Sequence, residues 1–152
     1  NKNYLKLPVF LIMAAFAFFS TRAILDSKNS YNLGDKLEAV RYASKEVENK
    51  DFSLDSIGEN FAWGGYRYLF YYTGNEPVKS YMDPAYTDWL YPKEIIAKDH
   101  PDTVVVLVNP DFYEDPKFNF RYQQYLNHTR ELKRFGKIEV LIVDNSEKWV
   151  KW

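Results

Sequence analysis

The sequence predicts an α/β chain: an N-terminal transmembrane helix followed by a small three- to four-stranded α/β domain that ends in a parallel βαβ unit. Three observations carry that prediction. Residues 4–20 form an apolar run with no charge from Leu7 to Phe19. Residues 103–108 and 138–143 are β-branched stretches without alternation, the pattern of strands covered on both faces. Between them a helical stripe opens at Asp115-Pro116, and strand, crossover and strand in that order favour parallel pairing with a right-handed connection.

The apolar run sets location. A helix over residues 4–19 rises about 24 Å, short of a hydrocarbon core of about 30 Å. Extension to Leu25 closes the gap if Arg22 snorkels to the headgroups and Tyr4 anchors the other interface. Residues 1–25 are therefore expected to span a membrane. Because the chain opens on Asn1 and not on Met, they are expected to be the last span of a longer protein. A secretory signal peptide and a buried core helix are the competing readings, although Phe-Phe-Ser-Thr-Arg-Ala offers a poor cleavage site. Lys2 and Lys6 precede the run and Arg22 and Lys28 lie beyond it, so charge alone does not orient it.

Residues 26–34 read as a polar connector and residues 35–152 as one domain. Asp35 and Glu38 have the spacing of a capping box, and Leu37, Val40, Ser44 and Val47 share a face, which predicts a helix over 35–49. Residues 52–57 alternate apolar and polar over their first four positions and stop at Gly58, a short strand. Tyr66 to Thr73 predicts a helix that ends at Gly74-Asn75. Pro77, Pro84 and Pro92 interrupt the stretch from 76 to 100, leaving a short strand near 78–82 and a helical turn near 93–98. Asp115 should cap a helix with Pro116 at its first position and with Phe118, Tyr122, Tyr125, Thr129 and Leu132 on one stripe, stopped by Gly136.

Composition excludes several functions. With the first 20 residues set aside, 21 acidic residues face 18 basic ones, a formal charge of −3 with no basic stripe for nucleic acid. The chain has no Cys, hence no disulfide, thiolate metal site or Cys nucleophile. The six glycines build no phosphate loop or dinucleotide fingerprint, and no His-Glu-x-x-His occurs. No cofactor or metal is expected. His100 and His128 read as surface histidines, and the sequon Asn127-His128-Thr129 is discounted because it falls inside the predicted helix.

Two polar groups fall where α/β sheets hold ligands, at the carboxyl ends of strands. Glu59 and Asn60 come after the first strand; Asn109, Asp111, Glu114 and Asp115 come after the strand at 103–108. If those strands are parallel neighbours, the groups converge with Trp63 in one crevice, although turn and cap roles explain Asp111 and Asp115 equally. Aromatics occupy 11 of the 31 positions from Phe61 to Tyr91. Trp63, Tyr66, Trp89 and Tyr91 could stack on sugar rings, pack in the core or face a membrane. The candidate ligand residues are thus Glu59, Asn60, Trp63, Tyr66, Trp89, Asn109 and Asp111, with none catalytic.

The apolar span, the polar connector and the helix Leu33-Gly-Asp-Lys-Leu-Glu-Ala-Val-Arg-Tyr-Ala lead into Asp51-Phe-Ser-Leu-Asp-Ser-Ile-Gly and Tyr66-Arg-Tyr-Leu-Phe-Tyr-Tyr-Thr-Gly-Asn-Glu-Pro. This layout, over most of residues 1–110, resembles the C-terminal tail of bacterial GT-C-type membrane glycosyltransferases, relatives of the dolichyl-phosphate-mannose protein mannosyltransferases. The resemblance implies glycosyl transfer from a polyprenyl-phosphate sugar donor and an extracytoplasmic domain after residue 25. It transfers no catalytic residue, because the family's catalytic carboxylate belongs to an early loop between membrane helices that this chain lacks. The implied partners are the lipid bilayer, the upstream transmembrane region of the same protein, and a glycan or lipid-linked sugar. A self-standing anchored domain that binds a glycan or small molecule is the alternative.

Overall fold

The computed structural model describes residues 6–26, 33–48, 50–58, 64–83 and 101–150. The chain divides into two units, residues 1–30 and 31–152. The first contains one helix, α1 (Lys6–Asp26). Pro8 is tolerated because its missing N–H falls among the amides that a first turn leaves unbonded anyway. Eight large apolar side chains, Val9 to Met13, Phe16, Phe18 and Phe19, are each between 52% and 75% exposed. Among the described residues, however, no helix is long and apolar enough to cross a membrane. The helix expected over the apolar run is present; its spanning a bilayer is not supported by the structure.

The second unit is a three-layer α/β domain. Its helices are α2 (Leu33–Glu46), α3 (Tyr66–Tyr72) and α4 (Pro116–Asn127). Its strands are β1 (Ser53–Ile57), β2 (Lys79–Ser80), β3 (Thr103–Val108), β4 (Thr129–Phe135) and β5 (Ile138–Asp144). They form one mixed sheet in the order β2-β1-β3-β5-β4. β1 runs parallel to β2 and β3, whereas β5 runs antiparallel to both β3 and β4. The period of two along β3 splits the core. Val105 and Leu107 join Phe52, Leu54, Phe70 and the buried residues of α2 on one face. Val104, Val106 and Val108 join Ile57, Tyr122, Tyr125 and Leu141 under α4 on the other.

Most expected elements appear, with three corrections. α2 starts two residues earlier than the capping-box reading requires, so Asp35 lies inside its first turn, and a Cβ at Gly136 would fall 2.1 Å from the Asp35 carboxylate. The sheet has five strands, not three or four. Lastly, the helix opened by Asp115 and Pro116 ends at Asn127, and residues 129–135 form a strand. The crossover from β3 through α4 therefore reaches β4, and the β4-β5 hairpin inserts β5 antiparallel between them. Gly136, at φ +56, opens the two-residue turn of that hairpin and is not a helix stop. The helical turn expected near 93–98 lies outside the described residues.

Candidate functional site

β1 leaves through α3 toward β2, while β3 leaves through α4 toward the opposite edge of the sheet. The carboxyl ends of β1 and β3 therefore flank a topological switch point, the place where open α/β sheets form crevices. The parallel neighbours that the sequence reading required are present, with Ile57 opposite Val108 and the Asn109 amide donating to the Ile57 carbonyl at 2.9 Å.

The described candidates at that point are occupied structurally. Asn109 is buried, and its side chain accepts from the Asp111 amide at 3.0 Å, capping a 3-10 turn over Pro110–Phe112. Asp111 is exposed and pairs with Lys137 at 3.5 Å. Asp115 caps α4 by accepting from the Lys117 amide at 2.9 Å. Phe112 turns back over Gly58, where a Cβ would meet it at 3.2 Å and Asn109 at 3.0 Å, so the strand ends are closed by packing. Tyr66 is fully buried in the α2-α3 core with the Lys36 ammonium 5.1 Å from its ring centroid, and it presents no face for stacking. Glu59, Asn60, Trp63 and Trp89 lie outside the described residues.

Sequence reasoning missed a buried polar cluster beneath α4. Asp55, in the middle of β1, is 2% exposed. It accepts from the Tyr125 hydroxyl at 2.5 Å and pairs with the Arg121 guanidinium. Arg121 and Tyr125 are one turn apart on α4, so a single helix face delivers both donors. Burial pushes the Asp55 carboxyl above its ordinary value even though Arg121 and Tyr125 both favour the ionised form. Burial likewise pushes the Tyr125 hydroxyl up, reinforced by the Asp55 charge. One turn toward the carboxyl end of the sheet, the Tyr122 hydroxyl donates to buried Glu139 at 2.8 Å, and Tyr113 stacks on Tyr122 with centroids 4.4 Å apart. The cluster ties α4 to β1 and β5 and is closed to solvent at its carboxylates.

The signal for it was the i, i+4 pair Arg121 and Tyr125, with Tyr125 on the apolar stripe of α4. Asp55 itself gave a contrary signal, because its alternation with Leu54 reads as a solvent-facing position. The sequon also moves: Asn127 ends α4 and Thr129 begins β4, with the Thr129 hydroxyl donating to the Tyr125 carbonyl at 2.8 Å. His128 is exposed as expected and stacks on Trp149 at 4.3 Å.

A third feature lies on the other side of the sheet. α2 and α3 are joined by the Lys36 ammonium donating to the Gly64 carbonyl at 2.9 Å and the Asn75 amide donating to the Ser44 carbonyl at 3.0 Å. The Asp83 carboxylate accepts from the Gly65 and Arg67 amides at 3.0 and 3.1 Å, fixing the start of α3. Between the two helices lies an open, apolar-lined groove of about 500 Å³. Compared with protein-family models, curated proteins and solved structures, the chain matches none of them.

Proposed function

We propose that this chain is the membrane-anchored tail of a glycosyltransferase that uses a polyprenyl-phosphate sugar donor, with its α/β domain extracytoplasmic, shaping acceptor access and supplying no catalytic group. The observation that carries the anchoring is α1. Leaving eight large apolar side chains in water and not in an apolar medium costs on the order of 10 to 20 kcal/mol, comparable to the whole stability of a domain. A helix apolar on all sides belongs in lipid or inside a larger protein. Arg22, near the carboxyl end of α1, suits an interface because a guanidinium on a long apolar stem reaches the headgroups.

The non-catalytic part is supported by the uses already made of Asn109 and Asp111, one as a cap and one as a surface ion pair. The glycosyl-transfer context rests on the resemblance over residues 1–110. The alternative of a self-standing glycan-binding domain loses Tyr66 from its stacking platform, since that ring is inside the core.

Two measurements test the proposal. After carbonate washing, the full chain should stay with membranes, and its recovery in the supernatant would refute the anchor. Asp111→Asn and Glu59→Gln in the intact protein should leave transfer from a polyprenyl-phosphate sugar within about tenfold, whereas loss of a general acid or base costs on the order of a hundredfold to ten-thousandfold. A variant at either position that folds normally and abolishes transfer would overturn the non-catalytic reading.

A further inference from the structure

Among the described residues, the α/β domain leaves six large apolar or aromatic side chains exposed, and four of them, Leu33, Tyr68, Tyr71 and Tyr72, belong to α2 and α3. Leu33, Tyr68 and Tyr72, at 62%, 57% and 72% exposed, line the groove between these helices together with Leu37 and Leu69. The Tyr68 and Tyr72 rings stack with centroids 6.5 Å apart. We propose that this groove is a lipid-docking surface that seats against the interfacial layer of the bilayer, a role that rests on the membrane reading of α1.

Three properties select that occupant. The groove is apolar inside and carries tyrosine hydroxyls, and tyrosine favours the headgroup boundary because its ring is apolar and its tip is wet. A single cation, Lys36, lines it and donates to the Gly64 carbonyl, so the lining offers no cluster of charges for an anionic headgroup. Six residues, 27–32, separate α1 from Leu33, and a fully extended chain of that length covers about 22 Å. A membrane-held α1 thus keeps the groove's Leu33 within reach of the interface by covalent length alone. An aromatic apolar patch so confined gains by burial in lipid what it loses by exposure to water.

The absence of cysteine makes the test direct. Full-length chain carrying an environment-sensitive fluorophore at a single introduced cysteine, Phe16→Cys, Leu33→Cys or Gln124→Cys, is reconstituted in phosphatidylcholine vesicles with and without spin-labelled lipid. Gln124 is an exposed residue of α4, on the opposite face of the sheet. The expected result is blue-shifted emission and lipid quenching at Phe16→Cys and Leu33→Cys, with neither at Gln124→Cys. Adding Tyr68→Ser and Tyr72→Ser, which leaves the buried side of α3 intact, should lower quenching at Leu33→Cys and leave it unchanged at Phe16→Cys. Including phosphatidylserine should change neither. Quenching at Phe16→Cys with none at Leu33→Cys overturns the docking surface and leaves the anchor standing. No quenching at Phe16→Cys overturns the anchor and the docking surface together. A Leu33→Cys label shielded from both lipid quencher and aqueous iodide means that protein covers the groove, and this too overturns the proposal.

Discussion

Tyr125→Phe isolates the buried cluster under α4. The substitution keeps the ring, including its edge contact with Trp149 at 5.6 Å, and removes only the hydroxyl that donates to Asp55 at 2.5 Å. A hydrogen bond to a charged acceptor contributes about 1.5 to 3 kcal/mol, and the carboxylate left behind is too buried to recover it from water. A loss of about 2 kcal/mol corresponds to a fall of roughly 8 °C in melting temperature for a domain of this size. The cost should depend on pH. Asp55 holds its proton in the folded protein to a pH above its ordinary 3.8, so the folded state binds more protons in that window. Stability then declines as pH climbs from 3.8 through the folded value. Removing the Tyr125 hydroxyl takes away support for the ionised form and raises the folded value further. The penalty should be complete once Asp55 is ionised in both proteins, and should fade below the wild-type folded value, where both carry a neutral carboxyl. Denaturant unfolding of the full chain in detergent across that range, repeated on an Asp55→Asn background, measures both effects. A penalty constant with pH and undiminished beside Asp55→Asn would refute the charge-assisted bond.

Three further substitutions probe the sheet. Val106→Asp places a carboxylate at a fully buried position of β3 directly opposite Asp55 and Leu141. It should cost several kcal/mol and abolish the cooperative transition. Lys133→Ala, on the exposed edge strand, should lose at most about 1 kcal/mol from the ammonium lying 5.0 Å from the Tyr42 ring; equal effects of the two would show that β3 is not buried. Gly136→Ala forces a side chain onto φ +56 and against Asp35, and should lower stability by about 1 to 3 kcal/mol in the same assay. An unchanged midpoint would contradict the hairpin turn.

The elements that were legible in the sequence share one property: their side chains report their surroundings. Val104–Val108 of β3 and Val140–Val143 of β5 are apolar because α2 and α3 pack on one face of the sheet and α4 on the other, and α4 begins where Asp115-Pro116 says it must. β4 was not legible. Thr-Arg-Glu-Leu-Lys-Arg-Phe has no alternation, and its Arg, Glu, Leu and Lys are good helix formers, so it extended the preceding stripe without a break. Its strand state comes from pairing with β5 across the Gly136-Lys137 turn, a tertiary contribution that local propensity does not contain. As an edge strand with charged, exposed side chains it needs no apolar face, and the lysine and arginines there also discourage a second strand from adding to that edge. Losing β4 from the reading made β5 the natural parallel partner of β3 and reversed its direction.

The candidate site was legible in place and not in content. β1 and β3 are the parallel neighbours that the reading required, and their ends bring Gly58 beside Asn109. What the side chains do there depends on geometry that spacing does not encode. Asn109 is spent on the Asp111 amide, and Phe112 fills the space that a glycine at 58 leaves open. Two-faced α3 shows the same limit from the other direction. Its aromatics are uniform in sequence, yet helical rotation sends Tyr66 and Phe70 into the core and Tyr68 and Tyr72 to the surface. A dense aromatic segment therefore names two environments at once. Only the inner set builds the domain, so any ligand or membrane contact of α3 must be made by the outer set, the residues that the sequence-based choice of Tyr66 passed over.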